Sequence, residues 1–149
     1  MSASNSKGAG QAFRFADRPG AYGHYPHARR VGDLLFVSGM SCRQPDNTHA
    51  GVITHDDGTF EANIEEQTEA LLQNMTIIVE RCGGSMNQLV DLTTFLVSMN
   101  DFKGYNSVYN RWFDAESGPT RTTIAVAELP HPHLLIEMKA VVALNASSD

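Results

Sequence analysis

Hydrophobic and polar positions alternate with two different periods along this chain, and the switches between them set out its elements. From Asn63 to Cys82 the apolar residues fall at Ile64, Leu71, Leu72, Met75, Ile78, Val79 and Cys82, helically spaced from Leu71 onward. Glu65, Glu66 and Glu69 lie near the start, where acids complement the positive end of a helix dipole, and Gly83-Gly84 supplies a left-handed stop. Leu89 to Met99 carries two interleaved sets, Val90/Leu92/Thr94/Leu96 and Thr93/Phe95/Val97/Met99, and predicts a strand covered on both faces. Asn100 or Asp101 then caps a second helix, whose Phe102, Tyr105, Val108, Tyr109 and Trp112 recur at helical intervals before Ser117-Gly118-Pro119.

Upstream, Arg30 to Gly39 combines a Gly-Asp turn with the apolar run LLFV, a turn entering a buried strand. Ser41 to Asp57 is polar and turn-forming, with Gln44-Pro45-Asp46-Asn47 and His55-Asp56-Asp57-Gly58. Thr122 to Ala127 and Leu134 to Leu144 read as two closing strands around a Pro-His loop. Strands, helix, strand, helix and two strands define an α+β class, a mixed sheet with both helices on one face. The opposite sheet face has an apolar set of its own and no further layer from this chain, so self-association is the economical way to cover it.

The length of 149 residues with 42% hydrophobic content accommodates one domain over residues 13–145, flanked by tails at residues 1–12 and 146–149 expected to be flexible. A net charge of -6, with no basic cluster beyond Arg29-Arg30, disfavours nucleic acid as a partner. Apolar runs are too short for a membrane span and the N-terminus lacks a signal-peptide pattern, which points to the cytoplasm. Cys42 and Cys82 stand apart and read as two reduced thiols. Only His24 with His27 and His131 with His133 are close in sequence; neither pair has acidic or cysteine partners at a metal-binding spacing, so no metal is expected.

Two residues are placed for chemistry. Arg121, among Thr120, Thr122 and Thr123 just before a strand, suits bidentate binding of a carboxylate; it could equally be an ordinary surface arginine. Glu137 interrupts the last strand among apolar residues, where burial would favour general acid/base work; alternatively Lys139 on the same face neutralises it. Were the last two strands a simple hairpin, Arg121 would face a residue near position 141, roughly 13 Å along the strand from Glu137. A working pair then needs a longer connection, two reaching side chains, or a site assembled between subunits. Ser38, Tyr25 and Asn106 are polar residues beside structural elements, and His131-Pro132-His133 offers two imidazoles on a stiffened loop.

Through VSG (Val37 to Gly39), NDFxxYN (Asn100 to Asn106), PxR (Pro119 to Arg121) and IExxA (Ile136 to Ala140), the chain resembles the Rid/YjgF family of reactive intermediate deaminases over about Tyr25 to Leu144. That resemblance implies a chorismate-mutase-like fold assembled as a homotrimeric barrel, with ligand clefts between subunits. It further implies cofactor-free hydrolysis of 2-imino or 2-enamino acids to 2-oxo acids and ammonia. In the family pattern Arg121 holds the substrate carboxylate, Glu137 positions or activates water, and Tyr25, Ser38 and Asn106 line the cleft. Ser41 to Thr48 and Leu129 to Glu137 look most like the branch acting on 2-aminomuconate in aromatic-compound degradation, with Gln44 where a second arginine is expected. For that dicarboxylate, Arg43, His131 and His133 are candidates for the second anion site. A broad 2-imino acid deaminase, or a trimeric ligand-binding or regulatory module, would use the same clefts. Some relatives are linked to RNA cleavage, against which the acidic charge argues.

Overall fold

The computed structural model describes residues 8–145. Residues 11–13 form strand β1 (Gln11–Phe13), so part of the expected N-terminal tail is ordered sheet; residues 1–7 and 146–149 lie outside the described part. Then follow β2 (Ala28–Val31), β3 (Leu34–Met40), β4 (Val52–Thr54), β5 (Phe60–Ala62), α1 (Ile64–Arg81), β6 (Leu89–Leu96), α2 (Phe102–Trp112), β7 (Thr120–Ala125) and β8 (Ile136–Ala143).

Helix α1 begins where Asn63 accepts a hydrogen bond from the Glu66 N–H at 3.0 Å, satisfying one of the orphan donors of the first turn, and ends at Gly83, with φ of 88°. The second helix starts differently from the sequence expectation. Ser98 accepts from the Asn100 N–H and caps a short 3-10 turn, while Asp101 makes no side-chain cap bond. The polar stretch after β3 also holds structure that its composition concealed: β4 and β5 form a small hairpin around the His55–Gly58 turn.

Six strands make the main sheet in the order β1-β2-β3-β8-β6-β7. The pairs are antiparallel except β6 with β7, which run parallel because α2 carries the chain back between them. The last two strands are therefore not a hairpin. β6 lies between them, with Leu92 paired to both Arg121 and Ala140.

Both helices pack on one face, as the periodicity predicts. Leu35 and Val37 of β3, Leu92, Thr94 and Leu96 of β6, and Ile136, Met138, Ala140 and Val142 of β8 point into this layer, against Leu71, Leu72, Met75, Ile78 and Val79 of α1 and Tyr105 and Val108 of α2. Among the described residues the other face has no second layer. Val31, Leu34, Phe36 and Ile124 there are each 41 to 45% exposed, so the LLFV run is buried only at alternate residues, and β6 is covered on one face rather than two.

Candidate active site and its surroundings

Alternation in β8 puts Glu137 on the open face, together with Lys139, Val141 and Ala143. Its partner across β6 is Phe95. On the other side β3 is irregular between Val37 and Met40, and Gly39 leaves the space that the Glu137 carboxylate occupies; a Cβ at position 39 would collide with that group. Burial pushes the Glu137 carboxyl above its ordinary value. Among the described residues no cation forms an ion pair with it, and Lys139 is exposed, so neutralisation by Lys139 is not what the structure shows.

Glu137 lines a cavity walled by Tyr25, Ser38, Arg43 and the segment Arg18 to Tyr22, with Pro130 and Leu134 at one side. Ser38 is held in place by two bonds, its hydroxyl donating to the Pro26 carbonyl at 2.7 Å and its N–H to His27. The Arg43 guanidinium lies over the Tyr22 ring, 4.3 Å from the centroid, and donates to the Gly20 carbonyl. Gln44 turns back to the Cys42 carbonyl and takes no part in the cavity wall.

Arg18 was not visible as a site residue in the sequence, since it sits in the aperiodic run Phe15 to His27. Here it donates to Asn74 Oδ1 at 2.7 Å, while Asn74, nearly buried in α1, donates to the carbonyls of Ser41 and Arg43. The Arg18 Nε–H is buried without a partner. A charged donor left in that condition is costly unless something else accepts from it.

Arg121 lies elsewhere. It is inside β7 rather than before it, and its pairing with Leu92 turns its side chain to the helix face. There it donates to Asn106 Oδ1 at 2.8 Å and stacks within the rings of Phe102, Tyr105 and Tyr109, nearest to Tyr109 at 4.4 Å. From Arg121, the cross-sheet equivalent Ala140 is two strands over, roughly 10 Å, and Glu137 lies three residues further along that strand, roughly another 10 Å. Within one chain Arg121 and Glu137 thus face away from each other.

His131 and His133 form a third group and are absent from the cavity wall. They meet His49, which sequence proximity gave no reason to join to them. His49 stacks on His131 at 4.2 Å between centroids, and desolvation together with the neighbouring imidazoles pushes His49 below its ordinary value. His131 is lowered in the same direction, by desolvation first and then by the His133 and Arg43 charges. Both cysteines are buried and free, with the thiols pushed up to about 11, which keeps them protonated and unreactive.

A fold of this kind, with a half-buried carboxylate set against a bulged strand and an arginine at the sheet edge, has relatives. The family model described as endoribonuclease L-PSP matches residues 15–144, and the chain belongs to that family, the Rid/YjgF family. It is 37% identical over 123 residues to a RutC family protein of Pyrococcus abyssi, covering 83% of this chain and 88% of that one. It is 30% identical over 130 residues to TdcF of Escherichia coli K12, named as a candidate reactive intermediate deaminase, covering 86% of this chain and 92% of TdcF. The crystal structure of Escherichia coli TdcF with bound serine superposes with a TM-score of 0.72 at 28% identity, over 89% of this chain and 98% of that one.

Proposed function

We propose that this protein is a cofactor-independent deaminase that hydrolyses 2-imino and 2-enamino acids, with the dicarboxylate 2-aminomuconate as its preferred substrate and the 2-oxo acid 4-oxalocrotonate and ammonia as products. The observation that carries this reading is the cavity itself: one carboxylate, without an ionic partner among the described residues, lines it together with two arginines, Arg18 and Arg43. The first of these has a buried N–H still unsatisfied.

The chemistry follows from those groups. Tautomerisation turns the enamine into the C2 imine. A water held by Glu137 attacks C2 of the protonated imine as the carboxylate accepts one of its protons, giving a neutral carbinolamine. The carboxyl returns that proton to the amino nitrogen and then accepts the hydroxyl proton, so that the C–N bond breaks, ammonia leaves and the C2 carbonyl forms. Raising the Glu137 carboxyl from its ordinary value brings it nearer the working pH, where a base is most effective.

The C1 carboxylate needs a bidentate donor close to C2, and Arg121, backed by Asn106, has the geometry for it. Since Arg121 of the same chain faces the other way, a neighbouring copy supplies it. The open sheet face, with Val31, Leu34, Phe36 and Ile124 uncovered, gives copies a reason to associate, and a closed trimer places one such cleft at each junction. Arg43 and Arg18 then take the far carboxylate. His131 and His133, the other candidates for that carboxylate, lie outside the cavity.

An assay of ammonia release against 2-aminomuconate and against small monocarboxylate imino acids tests the reading, run on the parent and on Arg18→Met, which keeps the aliphatic stem. The dicarboxylate should be preferred by the parent, with the preference lost in Arg18→Met while the small imines are still turned over. Equal turnover of both classes and an unchanged ratio in the variant would make it a broad imino acid deaminase; binding without ammonia release would make it a ligand-binding module.

A further inference from the structure

Two segments that wall the cavity meet just outside it, and three imidazoles stand at their junction. The first segment turns back on itself between Arg43 and His49, paired as a bridge, with Asn47 in the left-handed region at φ 66°. The second runs from Pro130 to Leu135. Its position is fixed by Gln67, a fully buried residue of α1 that donates to the His133 carbonyl at 2.8 Å and accepts from the Leu135 N–H at 2.9 Å. One ligand-capable nitrogen of each of His49, His131 and His133 lies within 4.8 Å of the others.

The hydrogen bonds sort these nitrogens. His131 Nδ1 accepts from the His133 N–H at 3.1 Å, so its Nε2 is the atom left for another partner. His49 Nε2 is buried with no hydrogen-bond partner at all. Phe60 closes one side, its ring 4.4 Å from that of His133. No carboxylate among the described residues forms an ion pair with any of the three.

We propose that His49, His131 and His133 bind one divalent transition-metal ion of the zinc class, with the fourth position open to water or a small anion. Three imidazoles suit zinc, nickel or copper and not the oxygen-seeking magnesium or calcium. A tetrahedral ion with metal–nitrogen bonds of about 2.0–2.1 Å holds its ligands roughly 3.3 Å apart, so no pair has to close by more than about 1.5 Å. Rotation of the His49 and His131 rings about their side-chain torsions would supply a movement of that size and turn their nitrogens out of the stack toward one point. The Arg43 charge is felt at His49 and His131 and opposes a dication, but its guanidinium is turned to Gly20 and Tyr22, and an anionic fourth ligand would offset it. Bound there, the ion ties the loop of Arg43 to the loop of Pro130 and Leu134, three residues of the cavity wall. Its work is to fix the walls, and the hydrolytic chemistry at Glu137 does not pass through it.

The test is calorimetric titration of the metal-stripped chain with zinc chloride, with the thermal midpoint followed in parallel. It uses His49→Phe, which keeps an aromatic ring on His131 but removes the ligand atom, and His55→Ala, which removes the exposed imidazole beside Glu61. One ion per chain and a raised midpoint are expected in the parent and in His55→Ala, since a ligand of the folded state stabilises it by mass action. His49→Phe should lose at least about tenfold in affinity with its metal-free midpoint near that of the parent. Absence of uptake at one ion per chain, uptake unchanged in His49→Phe, or loss of binding in His55→Ala would each overturn the assignment. Deaminase turnover measured on the same samples is a separate matter, and its presence or absence does not bear on this result.

Discussion

Glu137 and Arg121 sit on the same sheet yet in opposite circumstances. Among the described residues, Glu137 faces the side with no second layer and has no ion-pair partner, across a glycine whose lack of a Cβ makes room for it. Arg121 faces the packed side, ringed by Phe102, Tyr105 and Tyr109 and oriented by one hydrogen bond to Asn106. The carboxylate is desolvated and reactive but cannot fix a substrate. The guanidinium is rigid and oriented but has nothing to act on. On the function proposed above, each is half of a site, with the carboxylate assigned the chemistry and the guanidinium the positioning.

The sharpest way to break this contrast is Glu137→Gln. The amide keeps the shape and accepts no proton from water, so turnover should fall by about 10² to 10⁴ while binding persists; single-turnover rates and substrate titration measure the two separately. In the parent, activity should drop toward acid with a midpoint above the ordinary glutamate value. Stability provides a second reading, with a definite sign. A carboxyl raised in the folded state binds more protons folded than unfolded between the two pKa values, so stability falls as pH rises through that window. Removing it should leave the neutral-pH thermal midpoint equal or higher. A normal rate with a depressed midpoint would make Glu137 structural.

How much of this the sequence disclosed depended on whether local pattern or long-range pairing was being read. Helix α1 and the alternation that sends Glu137 away from Ile136 and Met138 were legible, because periodicity is a local property. The strand order was not: nothing within Thr120 to Ala143 indicates that β6 inserts between its neighbours, and that insertion is what separates Arg121 from Glu137. Tyr25, Ser38, Arg43 and Glu137 did converge on one cavity. Arg18 and His49 were missed for a different reason. Each sits in an aperiodic run, and each acquires its significance only from partners distant in sequence, Asn74 for the first and the His131 loop for the second.

Arg121→Lys is the next largest effect. Lysine keeps the charge but not the planar fork, and a single ammonium can satisfy neither two carboxylate oxygens nor the flat contact with Tyr109. A loss of roughly 10- to 100-fold in kcat/KM is expected, the size of one or two charge-assisted hydrogen bonds. Glu137 in the variant should keep its pH midpoint, since lysine preserves the positive charge that arginine brings to the cleft. Activity within twofold of the parent would remove Arg121 as the substrate anchor.

The smallest effect is the most discriminating, because it asks whether the halves belong to different chains. Glu137→Gln and Arg121→Lys are prepared separately, each nearly inactive, then mixed in equal amounts, dissociated and reassembled. If each cleft takes Glu137 from one copy and Arg121 from the next, an intact cleft forms wherever an Arg121→Lys chain supplies the glutamate and a Glu137→Gln chain supplies the arginine. In a randomly assembled ring this occurs at about one junction in four, so roughly a quarter of the parent activity should return. If both residues of a site came from the same chain, every site would carry one lesion and nothing would return beyond the sum of the parts. A mixture that reassembles by light scattering yet stays inactive would therefore refute the shared cleft, even with both single variants behaving as described.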